Sequence, residues 1–236
     1  MANEVLITTD ALIEKFQYAL NHKWGYIYGA AGELWTEAKQ KAATREQTVK
    51  YGKQWVGHNV ADCSGLFTWA FKQLGGYMYH GSDTMFKKYT TATGQLKNGK
   101  RTDGKQLKPG TAVFVWKEED KKYGHVGLYI GNGIVIEAAS TQKGVITSKV
   151  SDKKWEYWGE LKGVSYVNKP VPKGYAQVTG TRLALRSAPS TSAKVIMRVD
   201  TGNIVKLETP PPSDWDYVSY DGKTGYMMKK YLKEGQ

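Results

Sequence analysis

A thiol performs acyl transfer when a base takes its proton and an acceptor holds that base in one tautomer. The chain has a single cysteine, in the run Asp62-Cys63-Ser64-Gly65-Leu66. A polar stretch gives way to a helical pattern here, so the spacing predicts a thiol at a helix N-terminus. The dipole and free amides of that end favour the thiolate, the nucleophilic form. A lone cysteine is more often a small buried hydrophobe, and position alone leaves that reading ahead. A base changes the balance. Among the four histidines, His22 ends the first helix pattern, and His58 and His80 fall in polar loops, where surface or capping roles suffice. His125 opens Gly124-His125-Val126-Gly127-Leu128-Tyr129-Ile130, a strand by its alternation. Val126, Leu128 and Ile130 take the core face, and His125, Gly127 and Tyr129 the other. The flanking glycines leave room beside the imidazole for a helix end or a substrate.

A third member depends on a turn. Gly131-Asn132-Gly133 joins this strand to Ile134-Val135-Ile136-Glu137. A two-residue Asn132-Gly133 loop pairs Glu137 with Leu128 and turns it into the core. A three-residue loop with Gly133 left-handed pairs it with Gly127, on the His125 face and within side-chain reach. A carboxylate in an apolar strand favours the second register. It would orient the imidazole and stabilise the imidazolium.

The elements that must position these groups are legible in outline. Thr9 or Asp10 caps a helix to about Leu20, with Leu12, Ile13, Phe16, Ala19 and Leu20 on one face. A second helix covers Asp62 to Leu74, with Leu66, Phe67, Ala70, Phe71 and Leu74 as its apolar set, and Gly75-Gly76 ends it. Between them, Glu33 to about Trp55 is polar and helix-prone. After Pro109-Gly110 come strands at Ala112 to Trp116, Gly124 to Ile130 and Ile134 to Ala138. Helices followed by antiparallel strands give an α+β order. Asn168-Lys169-Pro170-Val171-Pro172-Lys173-Gly174 has linker chemistry. Five short strand patterns follow, at residues 175–178, 183–186, 204–207, 217–220 and 224–227, as in a small β-barrel. The expected domains are 1–167 (catalytic, with an insertion at about 33–60), a linker at 168–174, and 175–236.

Composition excludes several classes. One cysteine in 236 residues forms no internal disulfide and no cysteine-rich zinc cluster. There is no His-Glu-x-x-His and no Asp-rich calcium loop, so neither a metal nor another cofactor is expected. A hydrophobic fraction of 40% with 16 Tyr and 8 Trp opposes a disordered chain. The formal net charge is +12, and 10 basic against 6 acidic residues in 170–236 account for +4 of it. Such diffuse charge, with no nucleic-acid motif, points away from nucleic acid. It suits attraction to an anionic surface. No apolar run is long enough for a membrane span. The first ten residues lack a basic region before an apolar run, so no secretory signal peptide is expected.

The motif pair Asp62-Cys63-Ser64-Gly65-Leu66 and Gly124-His125-Val126-Gly127-Leu128-Tyr129-Ile130-Gly131-Asn132-Gly133 resembles the NlpC/P60 family of cell-wall cysteine peptidases. Gly25-Tyr26-Ile27-Tyr28-Gly29 is similar to the family's tyrosine-bearing motif, and Pro109-Gly110 before an apolar strand also fits. The resemblance covers roughly residues 10–167. It implies a papain-like α+β core, N-terminal helices on an antiparallel sheet, that hydrolyses peptidoglycan stem peptides, commonly between D-γ-glutamyl and a diamino acid. It implies Cys63 as nucleophile and His125 as base. Glu137 stands where the family most often has a second His, and a carboxylate there resembles the Cys-His-Glu set of CHAP amidases and peptidases. Tyr26 matches a substrate-side tyrosine; its plain alternative is core packing. Asp62 and Ser64 match positions that in some members hold the stem peptide's free amine. For Asp62, helix capping is an equal reading. Thr111 stands where Asp is usual after Pro-Gly, and the 33–60 stretch is longer than usual.

The tail, from Leu185-Arg186-Ser187-Ala188-Pro189-Ser190 through Trp215 to Tyr231-Leu232, resembles a bacterial SH3-like wall-binding domain. The expected partner is therefore peptidoglycan, through both cleft and tail. Missing export signals beside a wall-binding tail suggest a phage or prophage lysin, made in the cytoplasm and released without the general secretory route. The alternatives are a CHAP-like amidase cutting the sugar–peptide bond, or a catalytically dead wall-binding protein.

Overall fold

A computed structural model describes residues 6–151, 155–166, 171–180, 182–199, 202–208 and 214–235. The chain divides into two compact units, 1–166 and 167–236.

The first unit opens with β1 (Ile7–Thr8) and α1 (Thr9–Asn21). Thr8 caps α1, its hydroxyl accepting from the Ala11 amide, one residue before the expected cap. The 33–60 stretch is not one helix. It comprises the second half of β2 (Ala31–Leu34), then α2 (Glu37–Lys41), α3 (Glu46–Tyr51), a 3-10 turn at Gly52–Trp55 and the start of β3 (Asn59–Ala61), which pairs with β2. Next come α4 (Cys63–Gln73), α5 (Ser82–Lys88), β4 (Thr90–Lys97) and β5 (Lys100–Arg101). The remaining strands are β6 (Ala112–Lys117), β7 (Lys122–Gly131), β8 (Ile134–Ser140), β9 (Gly144–Lys149), β10 (Tyr157–Leu161) and β11 (Val164–Ser165). Seven of them form one antiparallel sheet in the order β5-β4-β10-β6-β7-β8-β9.

The apolar stripes of α1 and α4 pack on one face of this sheet. Phe16 meets Phe67 edge-on at 4.6 Å between centroids. Leu12, Leu66 and Phe71 join Phe114, Val126, Leu128 and Ile136 in the same core. The opposite face carries a second cluster of Val113, Val135, Val150, Trp155 and Trp158. Both faces of the central strands are therefore covered, which accounts for the apolar runs in β6 and β8.

The second unit is all-β. Its strands are β12 (Tyr175–Val178), β13 (Leu183–Arg186), β14 (Val195–Val199), β15 (Ile204–Leu207), β16 (Trp215–Tyr220), β17 (Lys223–Met228) and β18 (Leu232–Glu234). They form one sheet around Val178, Leu185, Val205, Val218 and Met227. Asp221 (φ 49°) and Gly222 (φ 70°) make the expected two-residue turn between β16 and β17. β14 and β18 are additions to the sequence reading. Residues 168–170 of the expected linker and Pro210-Pro211-Pro212 lie outside the described residues. No helix among the described residues is long and apolar enough to cross a membrane.

Candidate active site

α4 presents Cys63 from its first turn because Asp62 caps it. The Asp62 Oδ1 accepts from the amides of Ser64 (3.1 Å) and Gly65 (2.7 Å) and from the Ser64 hydroxyl (3.1 Å). Its Oδ2 accepts from the Gly29 amide at 2.8 Å, which ties the helix start to the Gly25–Gly29 segment. His80 Nε2 lies 2.9 Å from both oxygens. The carboxylate is thus committed as cap and ion-pair partner. Holding a free amine, the role the resemblance implies for Asp62 and Ser64, would require breaking one of these bonds.

Gly65 is a close approach. A Cβ there would lie 2.0 Å from the Ala30 carbonyl oxygen, and this backbone atom already accepts from the Asp62 amide. Gly65→Ala must push α4 away from this backbone segment. We expect it to cost about 3 kcal/mol, the upper end of ordinary overpacking, and to lower activity with it, as read from urea midpoints and wall clearing.

The His80–Asp62 pair titrates in a defined direction. Burial raises Asp62, but the His80 bond and the Gly65 and Gly29 amides outweigh it, leaving the carboxyl below its usual range. His80 is raised, chiefly by its bond to Asp62 and against the effect of burial. A raised folded value means that the stabilisation is full below about pH 6.5 and is lost as pH climbs through that raised value. The melting-temperature deficit of His80→Gln should therefore be largest near pH 5–6 and shrink as pH rises through the raised His80 value.

Cys63 is 9% exposed. Burial, then the Asp62 charge, push its thiol up to about 12, against donation from the amides of Val126, Ser64 and Cys63 itself. Position at a helix start thus does not by itself produce a thiolate here: desolvation outweighs the amides. Cys63 packs in the same core as Val126 of β7, the residue after His125.

His125 Nε2 is 2.6 Å from Glu137 Oε2. Glu137 is fully buried, and the Ser148 hydroxyl of β9 donates to its Oε1 at 2.6 Å. This face is reached differently from the expected three-residue loop. Gly131 pairs with Ile134 around a two-residue turn, Asn132 (φ 51°) and Gly133 (φ 76°). A bulge between Tyr129 and Gly131 then shifts the register, so that Leu128 faces Ile136 and Glu137 follows opposite Gly127. The Cβ positions of both flanking glycines are occupied by neighbouring side chains. A Cβ on Gly127 would meet Val135 (2.5 Å) and Trp155 (2.9 Å), and one on Gly124 would meet the Lys117 stem (2.4 Å). Trp155 stacks on His125 with centroids 5.5 Å apart and planes at 21°. Nothing in the spacing marks Trp155 or His80; both reach the site through contacts distant in sequence.

A cavity of about 630 Å³ opens over the thiol, lined by Tyr26, Tyr28, Asp62, Cys63, His80 and Gly124 among others. Tyr26 packs on the first core and lines this cavity. Burial, with the neighbouring Cys63 and Asp62, pushes its hydroxyl well above its usual value.

A helix-borne thiol packed on a sheet that carries a histidine–carboxylate pair has the architecture of a papain-like cysteine hydrolase. Residues 44–161 match the NlpC/P60 family, and residues 181–233 match the bacterial SH3 domain. The chain belongs to the NlpC/P60 family, whose members are cysteine peptidases acting on cell-wall peptidoglycan. It is 35% identical over 60 residues to the probable endopeptidase p60 of Listeria grayi, covering 25% of this chain and 12% of that protein. It is 30% identical over 95 residues to the peptidoglycan DL-endopeptidase CwlO of Bacillus licheniformis, covering 40% of this chain and 19% of that one. The matched segments thus span under a fifth of these relatives' lengths. A solved P60 domain from M. avium subspecies paratuberculosis is similar at 18% identity and TM-score 0.42, covering 64% of this chain and 93% of that one.

Proposed function

We propose that the chain is a peptidoglycan endopeptidase in which Cys63 is the nucleophile, His125 the general base and Glu137 the orienting acceptor. The observation that carries this reading is the His125–Glu137 pair, 2.6 Å apart, on the strands against which the Cys63 helix packs. Cys63 shares a core with Val126, the chain neighbour of His125, and Glu137 takes the imidazole's Nε2. That leaves Nδ1 as the nitrogen to accept the thiol proton. A thiol kept neutral by burial needs this transfer at the moment of attack. The sulfur attacks a stem-peptide carbonyl. The Cys63 amide, in the first turn where helical amides lack an intrahelical partner, stabilises the oxyanion. The imidazolium then protonates the leaving amine, and water hydrolyses the thioester.

The bond between D-γ-glutamyl and a diamino acid is the reading we favour, because a relative is named a DL-endopeptidase. The Cys-His-Glu set also suits an amidase that cuts the sugar–peptide bond. The SH3-type unit and the +12 charge suit retention on an anionic wall. We read this pairing as that of a phage-type lysin that meets the wall after release from the cytoplasm. Incubation with purified Gram-positive walls tests the core of the proposal. New free amines with loss of turbidity are expected, and retention on the walls without new amines would leave only a binding protein.

A further inference from the structure

The 33–60 insertion is fixed to the catalytic sheet. Trp55 Nε1 and Gln54 Nε2 both donate to the Thr141 carbonyl beyond β8, at 2.6 and 3.1 Å. Trp35 donates to Gln40, and Gln40 to the Thr48 carbonyl, so the insertion's short helices are braced internally. Two further cavities flank it. One, of about 550 Å³, lies between α3 and the β8–β9 turn, and one of about 400 Å³ lies against Trp35 and Ala43. Both share Tyr28 and Arg45 with the cavity that holds Cys63.

Arg45 is therefore the point at which the insertion enters the cleft. Its guanidinium lies 3.8 Å above the centre of the Tyr28 ring. Among the described residues it makes no ion pair, whereas Lys122 is matched by Asp120 at 3.3 Å and His80 by Asp62. It also acts electrostatically on Tyr26, which in turn feels Cys63. A stacked guanidinium with its fork unused is suited to a carboxylate, which it can bind through two parallel hydrogen bonds.

We propose that Arg45 binds a substrate carboxylate next to the scissile bond and makes the enzyme discriminate a free carboxylate from its amide. This rests on the stem-peptide reading above. A glutamyl residue linked through its γ-carboxyl keeps its α-carboxylate, a short aliphatic spacer away from the carbonyl under attack. Amidation of that group removes the charge and one acceptor, and leaves the scissile bond unchanged.

The test uses the full chain and two synthetic peptides, L-Ala-γ-D-Glu-L-Lys and its α-carboxamide counterpart, with separate kcat and KM. Wild type should prefer the carboxylate by about 10–100-fold in kcat/KM, as expected for a hydrogen-bonded charge. Arg45→Gln should bring the ratio near one, mainly through KM, and Arg45→Lys should leave it intermediate. Lys50→Gln removes an equal charge from α3, at a residue stacked on Tyr51 outside these cavities, and should keep the wild-type ratio. Equal cleavage of both peptides by wild type, an unchanged ratio in Arg45→Gln, or an equal loss in Lys50→Gln would overturn the proposal and leave the peptidase reading standing. Cleavage of neither peptide would sink both.

Discussion

Replacing Cys63 with alanine is expected to reduce wall hydrolysis by at least ~10³-fold, since the thiol forms the covalent intermediate and loss of a nucleophile removes nearly all rate enhancement. The fold should survive. The sulfur is small, and the cap that fixes α4 belongs to Asp62, whose bonds to Ser64, Gly65 and Gly29 do not involve the thiol. Retention on walls through the SH3-type unit should persist, so loss of cutting and loss of binding separate cleanly. Turbidity assays beside cosedimentation give both readouts. Clearing that continues at the wild-type rate would remove Cys63 from the mechanism.

Glu137 is the second large effect, and two substitutions divide its roles. Glu137→Gln keeps the volume, with its oxygen able to accept from His125 and its amide nitrogen able to donate to the Ser148 hydroxyl. It loses the charge that stabilises the imidazolium, and an amide can hold the imidazole in the wrong tautomer. A fall in kcat of about 10²–10⁴ is expected by analogy with the acid of a serine triad, with little change in melting temperature. Glu137→Ala goes further. It leaves a void between β8 and β9 and strips partners from a histidine and a hydroxyl that bond at 2.6 Å. A stability cost of about 2–4 kcal/mol follows, below that of breaking a deeply buried ion pair because His125 keeps some exposure. Chemical denaturation and wall clearing on both variants check this. Equal activity for the Glu137→Gln variant and the wild-type protein would limit the carboxylate to packing.

The site is legible where chemistry and periodicity coincide. α4 is readable because Leu66, Phe67, Ala70 and Phe71 recur at helical spacing behind Asp62, a strong capping residue. β7 is readable from its alternation. The side-by-side placement of His125 and Glu137 follows from the pattern, yet through the wrong turn. Sequence pattern cannot distinguish a longer loop from a tight turn followed by a bulge when both put the same face inward. Thiol ionisation is misjudged for a related reason. The helix start is a local property, whereas the desolvation that dominates Cys63 comes from β7 and the surrounding core, distant in sequence. His80 and Trp155 go unmarked on the same ground: each is one polar or aromatic residue in a loop until the fold brings it to Asp62 or His125. In the second unit, β14 and β18 lack clear alternation. Met197-Arg198 and Lys233-Glu234 dilute the signal, and pairing with β13 and β12 supplies what local propensity does not.

We propose that Cys63 opens one amide bond of the peptidoglycan stem. Mass spectrometry of soluble fragments from walls digested by wild type and by Cys63→Ala tests it most directly. Fragments ending at a γ-glutamyl carboxyl, with a matching new amine on the diamino acid, should appear with wild type and be absent with the variant. The same fragments from both proteins, or new reducing sugar ends in place of new amines, would contradict it.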